Sequence, residues 1–258
     1  MDSTTPQSVR EKVGFGQITG AQSWGALGYN NDVGTSSETV WNPGGEYVWP
    51  AAAQQMELVS SGAQDTAAGT GIQQVKVWYL DGSFVEKSVV ITMAGAVAVP
   101  TGAGVADIYR VQDLRAYRFG GNYVAAGNIS IRTLGGGTTY GQIATGATRA
   151  RDCRYTVPAG KTLFITSTTF STGSAASGKN VLFTTRATYD DLDARRLNPN
   201  EFMPFSEVLL QDAAFRRELI RPTRFPAGVD LKVSAISDSA GAICSVALRG
   251  YLMLNGSF

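Results

Sequence analysis

The sequence contains no histidine, and this absence removes several classes of catalytic site at once. Without an imidazole there is no Ser-His-Asp or Cys-His arrangement, no histidine-ligated zinc and no histidine that acts as an acid or base. The two cysteines, Cys153 and Cys244, lie far apart in the sequence, so a thiolate metal site is not supported. We expect two small buried thiols, with a disulfide as the rarer alternative, and no catalytic residue, metal or cofactor.

Charge is also scarce, because only 17% of the 258 residues are charged. Lysine and arginine total 22 against 21 aspartate and glutamate residues, so no net field draws the chain to nucleic acid or to an anionic membrane. No apolar run approaches the ~18 residues that span a bilayer. Met1–Pro6 lacks the basic and apolar regions of a signal peptide. We expect synthesis in a cytoplasm, and neither nucleic acid nor a membrane as a partner.

Short strands and tight turns are what the sequence does contain. The stretches Val157–Ile165 and Phe225–Val233 each place a proline and then a glycine before an alternating apolar run. Proline fixes φ before the bend and glycine frees the backbone at it, so each stretch predicts a corner between two sheets. Asp81-Gly82 predicts a hairpin between strands at Gln73–Leu80 and Phe84–Thr92.

The pattern of short strands extends to the C-terminus and indicates an all-β fold. Long amphipathic helices are missing, so we predict an antiparallel β-sandwich of jelly-roll type. Val208–Leu219 is interpreted as a strand and a turn, and a helix of two turns is predicted at Pro6–Lys12, where Thr5 is the cap. The further predicted strands are Met56–Ser60, Asp107–Phe119, Asn128–Leu134, Arg151–Val157, Thr162–Phe170, Val181–Thr188, Glu207–Gln211, Asp230–Ala235 and Ala242–Leu254.

The first 50 residues differ in composition from the rest of the chain. Glycines are dense over residues 14–49, and the rings between them have no regular period: Trp24, Tyr29, Trp41, Tyr47 and Trp49. This composition predicts an extended arm at residues 1–50 and a β-sandwich body at 51–258, with a sub-boundary near 146–151. Exposed tryptophans are unfavourable, so we expect the rings to dock either on this chain's own body or on a neighbouring subunit.

Two groups of charged residues are candidates for a site. Arg216 and Arg217, with Arg221 and Arg224, form a local basic patch that either meets an acidic neighbour or is an ordinary solvated face. Asp190, Asp191 and Asp193 crowd one loop, and such carboxylates suffice for glycoside cleavage or for calcium. Arg195 and Arg196 follow at once, which favours a self-paired surface loop.

Three stretches together resemble a pattern in virion structural proteins of tailed DNA bacteriophages. They are Leu58–Gly71 running into Val75–Leu80, then Gly121–Ile129, then Tyr155–Thr162, and the resemblance spans roughly residues 55–254. It implies a component of the phage particle: a capsid-associated protein, a head fibre or decoration, or part of the neck or tail. The resemblance brings no catalytic residues with it, and the N-terminal arm lies outside it.

We therefore expect a non-enzymatic structural protein located in the virion, with other virion proteins and copies of itself as partners and a trimer as the first guess. The candidate subunit or particle contacts are Trp24, Tyr29, Trp41, Trp49, Arg216 and Arg217. Removing residues 1–48 is expected to leave a folded core that no longer attaches. Two alternatives stay open: a receptor- or glycan-binding module that uses rings such as Trp78 or Tyr140, and a carboxylate-based glycan hydrolase that uses the aspartate loop.

Overall fold

The computed structural model describes residues 9–174, 178–190, 193–198 and 200–256, and in these residues strands dominate. The helix α1 covers Val9–Gly14. The strands are β1 Ala21–Val33, β2 Glu38–Thr39, β3 Met56–Ser60, β4 Ile72–Leu80, β5 Glu86–Thr92, β6 Val99–Pro100, β7 Arg110–Phe119, β8 Ile129–Thr133, β9 Thr139–Ile143, β10 Arg154–Thr156, β11 Lys161–Ser174, β12 Asn180–Ala187, β13 Tyr189–Asp190, β14 Arg195–Arg196, β15 Met203–Gln211, β16 Ala214–Phe225, β17 Asp230–Ser237 and β18 Ala242–Leu254. The prediction of an all-β chain is confirmed.

Two sheets enclose the first hydrophobic core. Sheet I has the strand order β1-β18-β11-β16, and sheet II has the order β10-β17-β12-β15 with β2 beside β17. Every pairing in them is antiparallel. Their inward side chains, such as Phe170 and Val246 of sheet I and Phe183 and Val233 of sheet II, form one buried cluster. This core is therefore built from residues 26–40 together with 153–252.

A second pair of sheets is inserted into the chain between β2 and β10. Sheet III has the order β6-β3-β8-β9, and sheet IV has the order β5-β4-β7. Residues 41–150 supply their separate core, which includes Met56, Leu58, Ile91 and Ile131. The chain passes from this second core back to the first between Ala150 and Cys153.

A buried ion pair joins the two units. Arg110 of β7 contacts Asp230 of β17 through two parallel hydrogen bonds of 3.1 Å, and the two side chains are only 3% and 6% exposed. Arg110 also donates to the carbonyl of Pro50, and Asp230 accepts from the Thr156 hydroxyl. A charge pair so removed from water holds its geometry strictly, because either partner alone would be a buried, uncompensated charge.

Both predicted corners are confirmed, and they contact each other. The first leads from β10 of sheet II to β11 of sheet I, and the second leads from β16 of sheet I to β17 of sheet II. Gly160 and Gly228 have φ of 71° and 74°, the left-handed region where glycine has no Cβ penalty. The N–H of Gly228 donates to the carbonyl of Val157 at 2.7 Å, and the N–H of Val157 donates to Val229 at 3.0 Å.

The extended N-terminal arm is the prediction that the structure corrects. Residues 21–33 form β1, a strand of 13 residues that pairs with β18 along most of its length. Glycine is required at position 28 of this strand, because a Cβ there would lie 2.4 Å from the Cβ of Cys153. The division into an arm at 1–50 and a body at 51–258 therefore fails, because residues 26–40 share a core with the C-terminal half.

The remaining local predictions are mostly confirmed. Val208–Leu219 is strand and turn, and the hairpin at Asp81 joins β4 to β5 with Leu80 opposite Glu86. The helix is described over Val9–Gly14 and ends two residues later than expected, while its predicted start at Pro6 and its cap Thr5 lie outside the described residues. No helix among the described residues is long and apolar enough to cross a bilayer.

Candidate functional site

β16 is an edge strand of sheet I and β15 is an edge strand of sheet II, and the two follow each other in the chain. We call these two edge strands, residues 203–225, the edge-strand surface. Nearly every residue of β16 from Ala214 to Arg224 faces solvent, including Phe215. On β15, Leu209 is 65% exposed. Open strand edges with exposed apolar side chains are unfavourable in isolation, and they are typical of surfaces that pair with another chain.

A bulge in β16 exposes an isoleucine on this surface. Ile165 of β11 lies opposite Thr223, but Ser167 lies opposite Glu218, so residues 219–222 have no partner in the ladder. Ile220 lies in this bulge and is fully exposed, at 101% of its reference area. Full exposure of a large aliphatic side chain forfeits about 2 kcal/mol of burial free energy that a partner would recover.

The strand that carries Ile220, β16, also carries four arginines. Arg216 contacts Glu218 of its own strand, and Glu218 also pairs with Arg10 of α1 at 3.2 Å. The exposed side chains of Arg217, Arg221 and Arg224 form no ion pair with any described residue. The candidate contacts Arg216 and Arg217 thus lie on the edge-strand surface, beside apolar groups and with excess positive charge.

The four aromatic candidates have different positions, and two of them are interior. Trp41 and Trp49 are 5% and 7% exposed and pack in the second core on either side of Tyr47, with ring centroids 5.0 and 4.8 Å away. They dock on this chain's own body, which corrects their assignment as subunit contacts. Trp24 is half-buried, with its ring centroid 5.0 Å from that of Tyr155.

Tyr29 is also half-buried and has a partner in its own chain. The guanidinium of Arg151 lies over its ring at 4.4 Å, and the backbone N–H of Tyr29 donates to the carbonyl of Arg151. This stacking is a cation–π contact between β1 and the segment before β10. Tyr29 therefore contributes to joining the chain's own segments.

The aspartate loop does not form a carboxylate pair among the described residues. Asp190 is 9% exposed, and its carboxylate accepts the backbone N–H of Asp193 at 3.4 Å. Asp193 itself is exposed. Asp191 lies outside the described residues. Among the residues that the structure describes, no group of acidic or cysteine side chains has the geometry of a metal site.

A cleft between sheet I and sheet IV brings Trp24 close to Trp78. This junction cavity has a volume of about 220 Å³, and β1 forms one wall while β4 and β7 form the other. Its lining includes Trp24, Trp78, Glu86, Asp113, Arg115, Arg149, Asp152 and Tyr155. Trp78 is half-buried there, whereas Tyr140, the other ring considered for glycan binding, is only 6% exposed and is excluded as a surface contact.

Charges of both signs are fixed inside the junction cavity. Asp113 Oδ2 accepts from Arg115 Nε at 2.6 Å and from Arg149 at 3.3 Å. Burial away from water raises the pKa of Asp113, against the lowering effect of these two arginines. Burial also raises the pKa of Asp152 to about 6, although Arg154 lies 3.3 Å from it. Burial therefore raises the pKa of both of these carboxyl groups.

The glycine-rich stretches that carry the resemblance meet around one buried carboxylate. Asp65 is fully buried and accepts four hydrogen bonds: from the Ser60 hydroxyl and from the backbone N–H groups of Ile72, Ala126 and Gly127. The backbones approach so closely that a Cβ on Gly127 would lie 2.1 Å from the nitrogen of Gly62. These motifs are therefore explained by packing between two loops.

The two cysteines are confirmed as buried free thiols. Burial raises the pKa of the Cys244 thiol to about 12, and it raises the pKa of Cys153 as well. Both sulfurs are therefore protonated at neutral pH, which removes their nucleophilic form.

Comparisons with known proteins give little beyond this geometry. No family model matches the chain, and no curated protein matches it in sequence. Among solved structures, it is similar to the structure of infectious bursal disease virus, Gx strain, with 9% identity over 100% of this chain and 77% of that one, at a TM-score of 0.26. A mutant VP2 protein of the same virus, in derived T=1 particles, has 10% identity over 91% of this chain and 77% of that one, at a TM-score of 0.15. Similarities at this level carry no argument about function.

Proposed function

We propose that the protein is a non-enzymatic structural subunit of a virus particle, of the kind found in tailed DNA bacteriophages, and that it assembles with its own copies through the edge-strand surface. The observation that carries the proposal is the bulged edge strand β16, which exposes Ile220 completely and also carries four arginines. A monomer gains nothing from this arrangement, whereas a subunit contact buries the apolar group and gives the backbone edge a partner.

The strand order supports the structural role. Eight strands divide into β1-β18-β11-β16 and β10-β17-β12-β15, with both corners crossing between the sheets. We interpret sheets I and II as a jelly roll, an architecture that is frequent in capsid proteins and lectins. The second unit would then be an insertion between the first and second strands of the roll.

Assembly through the edge-strand surface replaces the earlier expectation that an N-terminal arm anchors the protein. Strand β1 is part of the first unit, and the rings of Trp41 and Trp49 are used inside the chain. A homotrimer remains the first guess, with attachment as a head decoration or fibre, or as a neck or tail part. The mass of the purified protein in solution tests the proposal, because assembly predicts an oligomer that depends on Ile220.

The carboxylate-based hydrolase has no observation in its favour among the described residues. The recorded contact between Asp190 and Asp193 is the backbone N–H of Asp193 donating to the Asp190 carboxylate, and neither residue lines the junction cavity. A glycan-binding role has more support, because the junction cavity contains Trp78, and it is developed below.

A further inference from the structure

We infer that the junction cavity is a binding site for a neutral saccharide unit, contacted by Trp24 and Trp78 and hydrogen-bonded by Asp113, Arg115, Arg149 and the free edge of β1. The strands that line this cavity are different from β15 and β16, which form the edge-strand surface. The inference therefore does not depend on the proposed assembly. Its support comes from the composition of the walls, the balance of charge and the unsatisfied polar groups.

The walls combine flat apolar rings with planar polar groups. The rings of Trp24, Trp78 and Tyr155 supply apolar surface, and the carboxylate of Asp113 and the guanidinium of Arg115 lie next to them. The Arg115 guanidinium lies 5.4 Å from the centroid of the Trp78 ring, and Lys76 Nζ lies 4.7 Å from the same centroid. A sugar has the matching character, because its C–H face is apolar and its hydroxyls both donate and accept hydrogen bonds.

The charges in the cavity neutralise one another. Asp113 is paired with Arg115 and Arg149, Asp152 with Arg154, and Glu86 with Lys161 at 2.7 Å. An ionic ligand would find a charge that repels it next to every charge that attracts it. It would therefore lose its hydration without gaining a compensating partner. A neutral ligand with many hydroxyls avoids this cost, so the charge pattern selects against acidic sugars.

Several polar groups facing this region lack a partner among the described residues. Arg149 Nε is buried and makes no hydrogen bond. Arg154 Nε, in another residue that lines the cavity, is also buried without a hydrogen bond. A buried polar group without a partner is energetically unfavourable, so these positions favour a ligand whose hydroxyl accepts a hydrogen bond from them.

The opposite wall presents backbone groups. In β1 the N–H of Tyr29 points away from β18 and donates to Arg151. Backbone N–H and C=O groups alternate in direction along a strand. Gly25 and Leu27 therefore direct theirs away from β18, as Tyr29 does. Both residues line the cavity, and neither group has a partner in the described part of the chain. Gly25 has no side chain to cover them.

Two variants in the cavity and one outside it test the site. Trp78→Ala removes a ring from the wall, and Arg115→Gln changes a side chain that is half exposed, so neither should prevent folding. Tyr123→Ala is the matched control, because Tyr123 is a ring that is 70% exposed and does not line the cavity. Circular dichroism and solution mass establish that each variant folds and assembles as the wild type does.

The probes are glucose, galactose, mannose, N-acetylglucosamine and N-acetylgalactosamine, with glucuronic and N-acetylneuraminic acids as charged comparators, measured by saturation-transfer NMR and calorimetry. We expect at least one neutral sugar to bind saturably with a Kd of about 1 mM, and each cavity variant to weaken it about tenfold while Tyr123→Ala binds normally. Binding of none of the neutral sugars, binding of the acidic sugars alone, wild-type binding by both cavity variants, or equal loss in Tyr123→Ala would each overturn the inference.

Discussion

At the scale of residues, buried carboxylates determine where the loops and strands meet. Asp65 holds two loops of the inserted unit, and Asp230 joins that unit to the first core through Arg110. In each case the surrounding hydrogen-bond donors compensate for the hydration that the carboxylate loses on burial. Such positions tolerate little change, even to the isosteric amide.

Replacing Asp65 with asparagine should destabilise the protein strongly. The carboxylate accepts hydrogen bonds from Ser60, Ile72, Ala126 and Gly127, whereas an amide has one acceptor oxygen and directs an NH₂ group at the remaining donors. We expect a loss of about 3 kcal/mol in the free energy of unfolding, measured by urea denaturation. The control is Asp32→Asn at an exposed position, where the change should be within about 0.5 kcal/mol. Equal stability of the two variants would mean that the Asp65 contacts contribute little.

The burial of Asp152 predicts that the free energy of unfolding depends on pH. Burial raises its pKa from 3.8 to about 6, so between these values the folded state holds a proton that the unfolded state has released. The contribution of this group to stability is therefore present below about pH 4 and is lost as the pH rises through 6, a change of about 3 kcal/mol. Asp152→Asn removes this dependence.

Urea denaturation of the wild type and of Asp152→Asn at several pH values from 4 to 7 measures this contribution. The difference between their unfolding free energies should shift in favour of the asparagine variant as the pH rises. A difference that stays constant over the range would show that Asp152 titrates normally. Asp32→Asn serves again as the exposed control.

At the scale of elements, the sequence predicts strands well where apolar residues alternate and turns are marked by proline or glycine. Strands β3 and β18 have the predicted bounds, and both corners cross between the sheets as expected. The long strand β1 is missed because glycines interrupt its alternation. The glycine at position 28 serves a close approach to Val40 and Cys153, which are distant in sequence, so no local pattern reveals it.

Two N-terminal truncations test the corrected place of β1. Deleting residues 1–20 removes α1, which contributes Val13 to a small cluster with Tyr251 and Met253, and should lower the melting temperature while leaving the fold intact. Deleting residues 1–48 also removes β1 and Trp41, and should leave no cooperative thermal transition. Circular dichroism melts and limited proteolysis distinguish the two. If the protein without residues 1–48 melted cooperatively at a temperature close to that of the full-length protein, the prediction of an extended arm would be right after all.

The candidate site was only partly predictable at this scale. Arg216 and Arg217 were identified from a local run of arginines, and they lie on the edge-strand surface. Ile220 was not identified from the sequence. Its exposure arises from the bulge opposite Ile165 and Ser167, and an irregularity in strand pairing cannot be recognised from one strand alone. The junction cavity was equally hidden, since its walls come from β1, β4 and β7.

At the scale of the whole molecule, two β units share one chain and are fixed to each other by the Arg110–Asp230 pair. The first unit carries the surface proposed for assembly, and the cleft between the units carries the site proposed for a saccharide. The two proposals therefore assign assembly and saccharide binding to different parts of the chain. The two proposals are tested separately, because their residues do not overlap.

The most direct measurement of the central claim is the mass of the purified protein by multi-angle light scattering, for the wild type, Ile220→Glu and Val97→Glu. Ile220 and Val97 are both exposed aliphatic residues, but Val97 lies on the inserted unit, away from the edge-strand surface. Assembly through that surface predicts a wild-type oligomer, a monomer for Ile220→Glu, and an unchanged oligomer for Val97→Glu. A wild type that is monomeric at every concentration, or an oligomer that both variants retain, would contradict it.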